Sequence, residues 1–172
     1  ASMVYGAHND STGSMCRGTF LGDCTDHGFG YTKVNNVSIE GGTWIAAGGS
    51  QVQTTNVFAF RHSKNISFSN MTIKNATGHM INLSGTDTAT VTNVKFMDAG
   101  RSADKTDYWY EAVHLDFCSQ EGEITAGAPY DYTPAKNVTV KNCTFENVHA
   151  GVGNHHVLPK AERSKNMSVN IT

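Results

Sequence analysis

The sequence predicts an all-β fold, a β-helix with three short strands per coil. Three observations point there. Segments of the form Asn, alternating strand, turn, second short strand recur from residue 34 to the end of the 172 residues. The clear spacings between matching asparagines are 23 residues (Asn70 to Asn93) and 49 (Asn93 to Asn142), one repeat and then one repeat with insertions. No segment shows helical periodicity, and a 20–25-residue period without helices or a leucine ladder reads as a solenoid of strands.

Residues 1–33 are an irregular region or a first coil; a strand is expected near 15–20, followed by a Gly- and Asp-rich loop. The repeats then run Asn36 to Trp44, Asn65 to Ile73, Ala89 to Phe96 and Asn137 to Phe145, with a last copy opening at Asn166. Alternation turns Val37, Ile39, Ile66, Phe68, Val91, Val138 and Val140 inward. After each turn it does the same for Met71, Ile73, Val94, Phe96, Cys143 and Phe145. Asn70, Asn93 and Asn142 fall between the two strands, where a sharp turn needs a left-handed residue and asparagine tolerates one. Stacked in successive coils, their amides should bond one another as a ladder. A second family of short strands lies at 57–62 (VFAFRH), 79–84 (HMINLS), 111–117 (EAVHLDF) and 151–157 (GVGNHHV). Two insertions, 100–110 and 119–134, leave the repeat on either side of EAVHLDF.

The whole chain, 1–172, is read as a single domain, long enough for a substantial core. The chain is rich in Gly, Asn, Thr, Ser and Val, which suits strands and tight turns. A net charge of −2 gives no polyanion-binding surface, so nucleic acid is not expected as a partner. No apolar run approaches the roughly 20 residues that span a bilayer. Of the four cysteines, Cys16 and Cys24 are spaced either to close a small loop disulfide or to stay as thiols. Cys143 takes an apolar repeat position, and neither it nor Cys118 belongs to a zinc-type spacing. Ten N-x-S/T sequons occur, nine of them from residue 36 onward, but Asn at a turn followed by an apolar residue and Thr or Ser is what this repeat writes by itself. The last strand starts a further repeat with no polar cap after it. Missing coils or a second chain are therefore expected to cover the solenoid ends.

EAVHLDF is the best candidate for chemistry. Alternation sets Val113, Leu115 and Phe117 on one face and His114 and Asp116 on the other. An aspartate is disfavoured in mid-strand unless it has a task. Glu111 begins the strand on the inward parity and is expected at a bend, as a further catalytic carboxylate. Asp98 closes the preceding coil and is expected to reach the same place. His155, His156, His114 and Asp116 have metal-ligand chemistry, but adjacent histidines on a strand point apart, so neither metal nor cofactor is expected.

The repeat and its Asn turns resemble the right-handed parallel β-helix proteins of the pectate lyase and polygalacturonase superfamily. More narrowly, EAVHLDF, PYDYTPAKNVTVKNCTF and GVGNHH resemble bacterial secreted β-helix proteins to which polysaccharide degradation is attributed. The resemblance implies a cleft along one parallel sheet, flanked by the inserted loops. In this chain the outward stripe becomes Arg61, Asn82, His114, Asp116 and His155. Arg101, Trp109 and Tyr130 stand on the insertions as substrate contacts, the aromatics suited to stacking on sugar rings. Of the polygalacturonase motifs N-T-D, D-D, G-H-G and R-I-K, the chain carries only Gly78-His79, so pectin is not implied.

The expected activity is glycoside hydrolysis of a poly- or oligosaccharide by a secreted or cell-surface protein. Asp116 would be paired with Glu111 or Asp98, and His114 would tune them. A polysaccharide lyase, using Arg61, Arg101 or Lys105 toward a uronate, and a non-catalytic glycan binder are the alternatives.

Overall fold

The computed structural model describes residues 8–9, 15–16, 30–32, 34–46, 56–76, 78–99, 111–118, 131–154 and 158–172. Arg101, Trp109, Tyr130 and His155 lie outside them, as do His156, Lys105 and Cys24. The chain is all-β, and among the described residues no helix is long and apolar enough to cross a membrane.

Strands β1 (His8–Asn9) and β2 (Met15–Cys16) pair antiparallel with each other. Every described strand after them belongs to one parallel sheet: β3 (Asn35–Glu40), β4 (Thr43–Ile45), β5 (Phe58–Lys74), β6 (Ile81–Met97), β7 (Glu111–Asp116), β8 (Lys136–Lys141), β9 (Thr144–Glu146), β10 (Ala150–Gly153) and β11 (Val169–Ile171). A short 3-10 helix, Lys160–Glu162, precedes β11. Each pass of the chain lies on the one before it. β3 and β4 pair with β5, β5 with β6, β6 with β7, β8 and β9, β7 with β10, and β8 with β11.

Like residues stack on like. Val37, Ile66, Ala89, Val138 and Val169 form one register line; Ile39, Phe68, Val91, Val140 and Ile171 form the next. Ile66, Phe68, Val91 and Val140 are fully buried, and Phe68 meets the rings of Phe58 and Phe60 at 5.2 and 5.7 Å. Burying each such side chain is worth about 1.5–3 kcal/mol, so the apolar stacks supply the main cohesion between passes.

The expected pairs of short strands are fused. β5 and β6 each run for 17 residues, bent rather than interrupted, and pair in register from Phe58↔Ile81 to Lys74↔Met97. The bends fall at residues with positive φ: His62, Asn65 and Asn70 in β5, and Gly85, Thr88 and Asn93 in β6. Three bends make four straight runs, not three strands. The extra run, Ser63 and Lys64 opposite Thr86 and Asp87, is too short to leave an alternating pattern.

The turns form columns. Asn93 Nδ2 donates to Asn70 Oδ1 at 3.0 Å, and Asn70 Nδ2 donates to Glu40 Oε1 at 3.0 Å. A second column joins Asn65 to Asn36 (2.9 Å) and Asn137 to Asp87 (2.8 Å). A third contains Asn75, Asp98 and Asn147, all at positive φ, with Asn147 Nδ2 donating to Asp98 Oδ1 at 2.8 Å.

Candidate active site

β7 crosses β6 so that His114 lies beside Asn82, and Asp116 beside Ser84; one pass earlier the same lines hold Ala59 and Arg61. The expected stripe therefore divides into two rows. Its described members are also buried or half-buried, a correction to the outward-facing stripe that the resemblance implied. Asn82, His114 and Asp116 are buried and Arg61 is half-buried. Both faces of β7 are inside, so alternation separates its two sets of side chains without exposing either.

Glu111 joins His114 despite its parity. The reason lies in the next pass, where Gly153 stands opposite His114. A Cβ on Gly153 would sit 3.0 Å from Glu111 Cγ and 3.3 Å from Oε1. The missing side chain is the space through which Glu111 bends back over its own strand. Glu111 Oε2 is then 3.0 Å from His114 Nδ1 and 3.4 Å from His79 Nδ1, and the Glu111 carbonyl oxygen is 3.2 Å from His79 Nδ1. The rings of His79 and His114 stack at 3.9 Å, 8° from parallel. On the far side of the imidazole, His114 Nε2 faces Asp116 Oδ2 at 3.6 Å. Asp116 Oδ1 accepts from the Phe117 amide at 2.7 Å and from Asn154 Nδ2 at 3.4 Å, while Asn154 also donates to the Leu115 carbonyl.

The cluster is graded by depth. Glu111 is 8% exposed and His79 5%, while His114 and Asp116 are 0% exposed. Burial alone pushes the His114 pKa down. The Asp116 carboxylate at 3.6 Å and the hydrogen-bonded Glu111 carboxylate outweigh it, and the net shift is upward from 6.5. An imidazolium with a donor on each ring nitrogen suits a position between two carboxylates.

His79, Gly153 and Asn154 were not among the residues singled out as a site. His79 could have been found by aligning 79–84 with 111–116, since Ile81 pairs with Val113 and the same register sets His79 against Glu111. Asp98 stands elsewhere, correcting its expected role. It is an exposed turn residue of the third column, at the opposite end of β6 from the pairing with β7.

One ligand atom each of His79, Glu111 and His114 lie close enough together for a cation. The stacked rings oppose that use. Imidazole lone pairs lie in the ring plane, so two parallel rings 3.9 Å apart cannot aim at a common ion unless one turns. The arrangement suits proton sharing around one carboxylate instead. No family model, curated protein or solved structure matches the chain.

Proposed function

We propose that the chain is a right-handed parallel β-helix and a carbohydrate-active enzyme, a glycoside hydrolase acting on a poly- or oligosaccharide outside the cell. Successive parallel passes with columns of left-handed asparagine turns support the β-helix. The observation that carries the activity is the Glu111–His114–Asp116 row, two carboxylates held by one imidazole. Its depth reverses the roles expected from sequence. Glu111, the least buried member, is the group that meets the glycosidic oxygen. Asp116 and His114 lie behind it, orienting its carboxylate and setting its proton inventory. A proton passes from His114 Nδ1 to Glu111 Oε2 along their 3.0 Å hydrogen bond and from there to the leaving oxygen. The imidazole fills the space between the two carboxylates, so Asp116 does not reach the sugar, and Glu111, once it has given up its proton, takes one back from the attacking water.

A non-catalytic glycan binder is the second reading. The complete burial of His114 and Asp116 favours it, because the row would then be a satisfied polar core. Product analysis on neutral and uronate-containing polysaccharides separates the cases. New reducing ends with saturated products are expected. Unsaturated products would mean a lyase, and binding without products a binder. In a folded Glu111→Gln variant, turnover should fall by about 10²–10⁴-fold. An unchanged rate would remove Glu111 from the reaction.

A further inference from the structure

A second polar cluster sits at the first bend of the long strands, built from residues that the proposed hydrolysis leaves unused. His62 occupies the bend of β5 at φ 47°, and Gly85 takes the same place in β6 at φ 58°. A Cβ on Gly85 would lie 2.4 Å from the Cys118 sulfur and 3.2 Å from the Thr133 carbonyl oxygen. The glycine thus opens the space in which Cys118, at the end of the β7 pass, reaches His62 one pass beyond Gly85. Cys118 Sγ is 3.6 Å from His62 Nδ1. Asp131 approaches at the neck of the excursion that follows Cys118. That neck is closed by the pairs Cys118 N–H to Thr133 O and Tyr132 N–H to Cys118 O, both 3.0 Å. One ligand atom from each of His62, Cys118 and Asp131 lies within 4.8 Å of the other two.

We propose that His62, Cys118 and Asp131 bind a thiophilic divalent cation of the Zn²⁺ class, which pins the neck of the excursion to the bend of β5. A tetrahedral ion with metal–sulfur and metal–nitrogen distances of about 2.3 and 2.0–2.1 Å holds its S and N ligands about 3.6 Å apart. That is the separation found between Cys118 and His62. Charge agrees as well, since one thiolate and one carboxylate neutralise a divalent ion. This matters where His62 and Cys118 are almost fully buried. The carboxylate is already oriented, with Oδ1 accepting from the Thr133 amide at 2.9 Å and Oδ2 from the Gly30 amide at 2.8 Å and from the Thr133 hydroxyl.

Without a cation, His62 Nδ1 donates to the Gly30 carbonyl at 2.8 Å and the thiol donates to the Ser84 carbonyl at 3.4 Å. Binding replaces both. The thiol proton leaves to solvent, the imidazole moves its N–H to Nε2, and the released Gly30 carbonyl becomes available as a fourth ligand. Sulfur and imidazole ligands select zinc-like ions over calcium or magnesium.

Titration of the whole chain with Co²⁺ reads the sulfur ligand directly. A sulfur-to-cobalt charge-transfer band should saturate at one equivalent and vanish on addition of Zn²⁺. Cys118→Ser should lose the band while Cys16, Cys24 and Cys143 remain, and His114→Gln should keep it. Asp131→Asn, at a half-buried position, should bind at least tenfold more weakly, which serves if Cys118→Ser does not fold. The proposal is overturned by absence of the band in excess cobalt, by its survival in Cys118→Ser, by its loss in folded His114→Gln, or by unchanged affinity in folded Asp131→Asn.

Discussion

Glu111 and Gly153 act as one unit at the scale of single residues. The carboxylate reaches His114 only because no Cβ stands at 153, so Gly153→Ala should impair turnover through a residue that performs no chemistry. We expect a clear loss of rate with a stability cost of about 1–3 kcal/mol from overpacking, read as kcat beside a melting curve; full activity would mean Glu111 need not bend back. His114 offers a second test. Its folded pKa is raised, so the stability that protonation contributes is fully present below its unfolded value of 6.5. That contribution is lost as pH rises through the folded value. The melting temperature of wild type over His114→Gln should therefore be greatest in acid and shrink toward alkali. A gap independent of pH would show the imidazole uncharged in the fold. The grouping of His114 with Asp116 was legible from alternation. The crossing of Glu111 was not, because a glycine distant in sequence decides it.

Bends matter most at the scale of the element. The apolar alternation and asparagine turns of β5 and β6 were plain in the sequence, but their fusion into 17-residue elements was not. A bend carried by one left-handed residue keeps hydrogen bonding on both sides, and a sequence pattern cannot tell it from a loop. Asn93 stands at φ 55° and donates to Asn70. Asn93→Ala loses both the tolerated backbone and the amide bond and should cost about 1–3 kcal/mol. Asn93→Gly keeps the backbone and should cost less. Urea unfolding of the pair separates the two contributions, and equal midpoints for Ala and parent would deny the column any weight. At the first bend of β6, Gly85→Ala should cost about 2–4 kcal/mol, from left-handed strain plus overpacking against Cys118.

The pattern of stacked passes from residue 34 onward was readable at the scale of the whole molecule, because each pass repeats the same inward residues. Burial of the polar row was not, since alternation tells faces apart without saying what covers them. β11 repeats the inward line of β8 with Val169 and Ile171, yet these are 44% and 58% exposed, and among the described residues β11 pairs only with β8. Such an edge invites association. Light scattering should show concentration-dependent assembly of the 172-residue chain, reduced by Val169→Lys with Ile171→Lys. A monomer at high concentration in the parent would show this edge to be inert.

The asparagine columns also settle a question of phase. An alternating strand resists a slip of one residue, which would turn its apolar side out, but a slip of two restores every face. Bends change that. Two bent strands displaced by two residues no longer turn at the same height, and their pairing fails at each corner. The columns therefore act as a vernier, resetting phase once per pass. Column partners can consequently be 23 residues apart in one place and 50 in another without the error accumulating. The length of chain between passes is left free to vary while the stack stays in step.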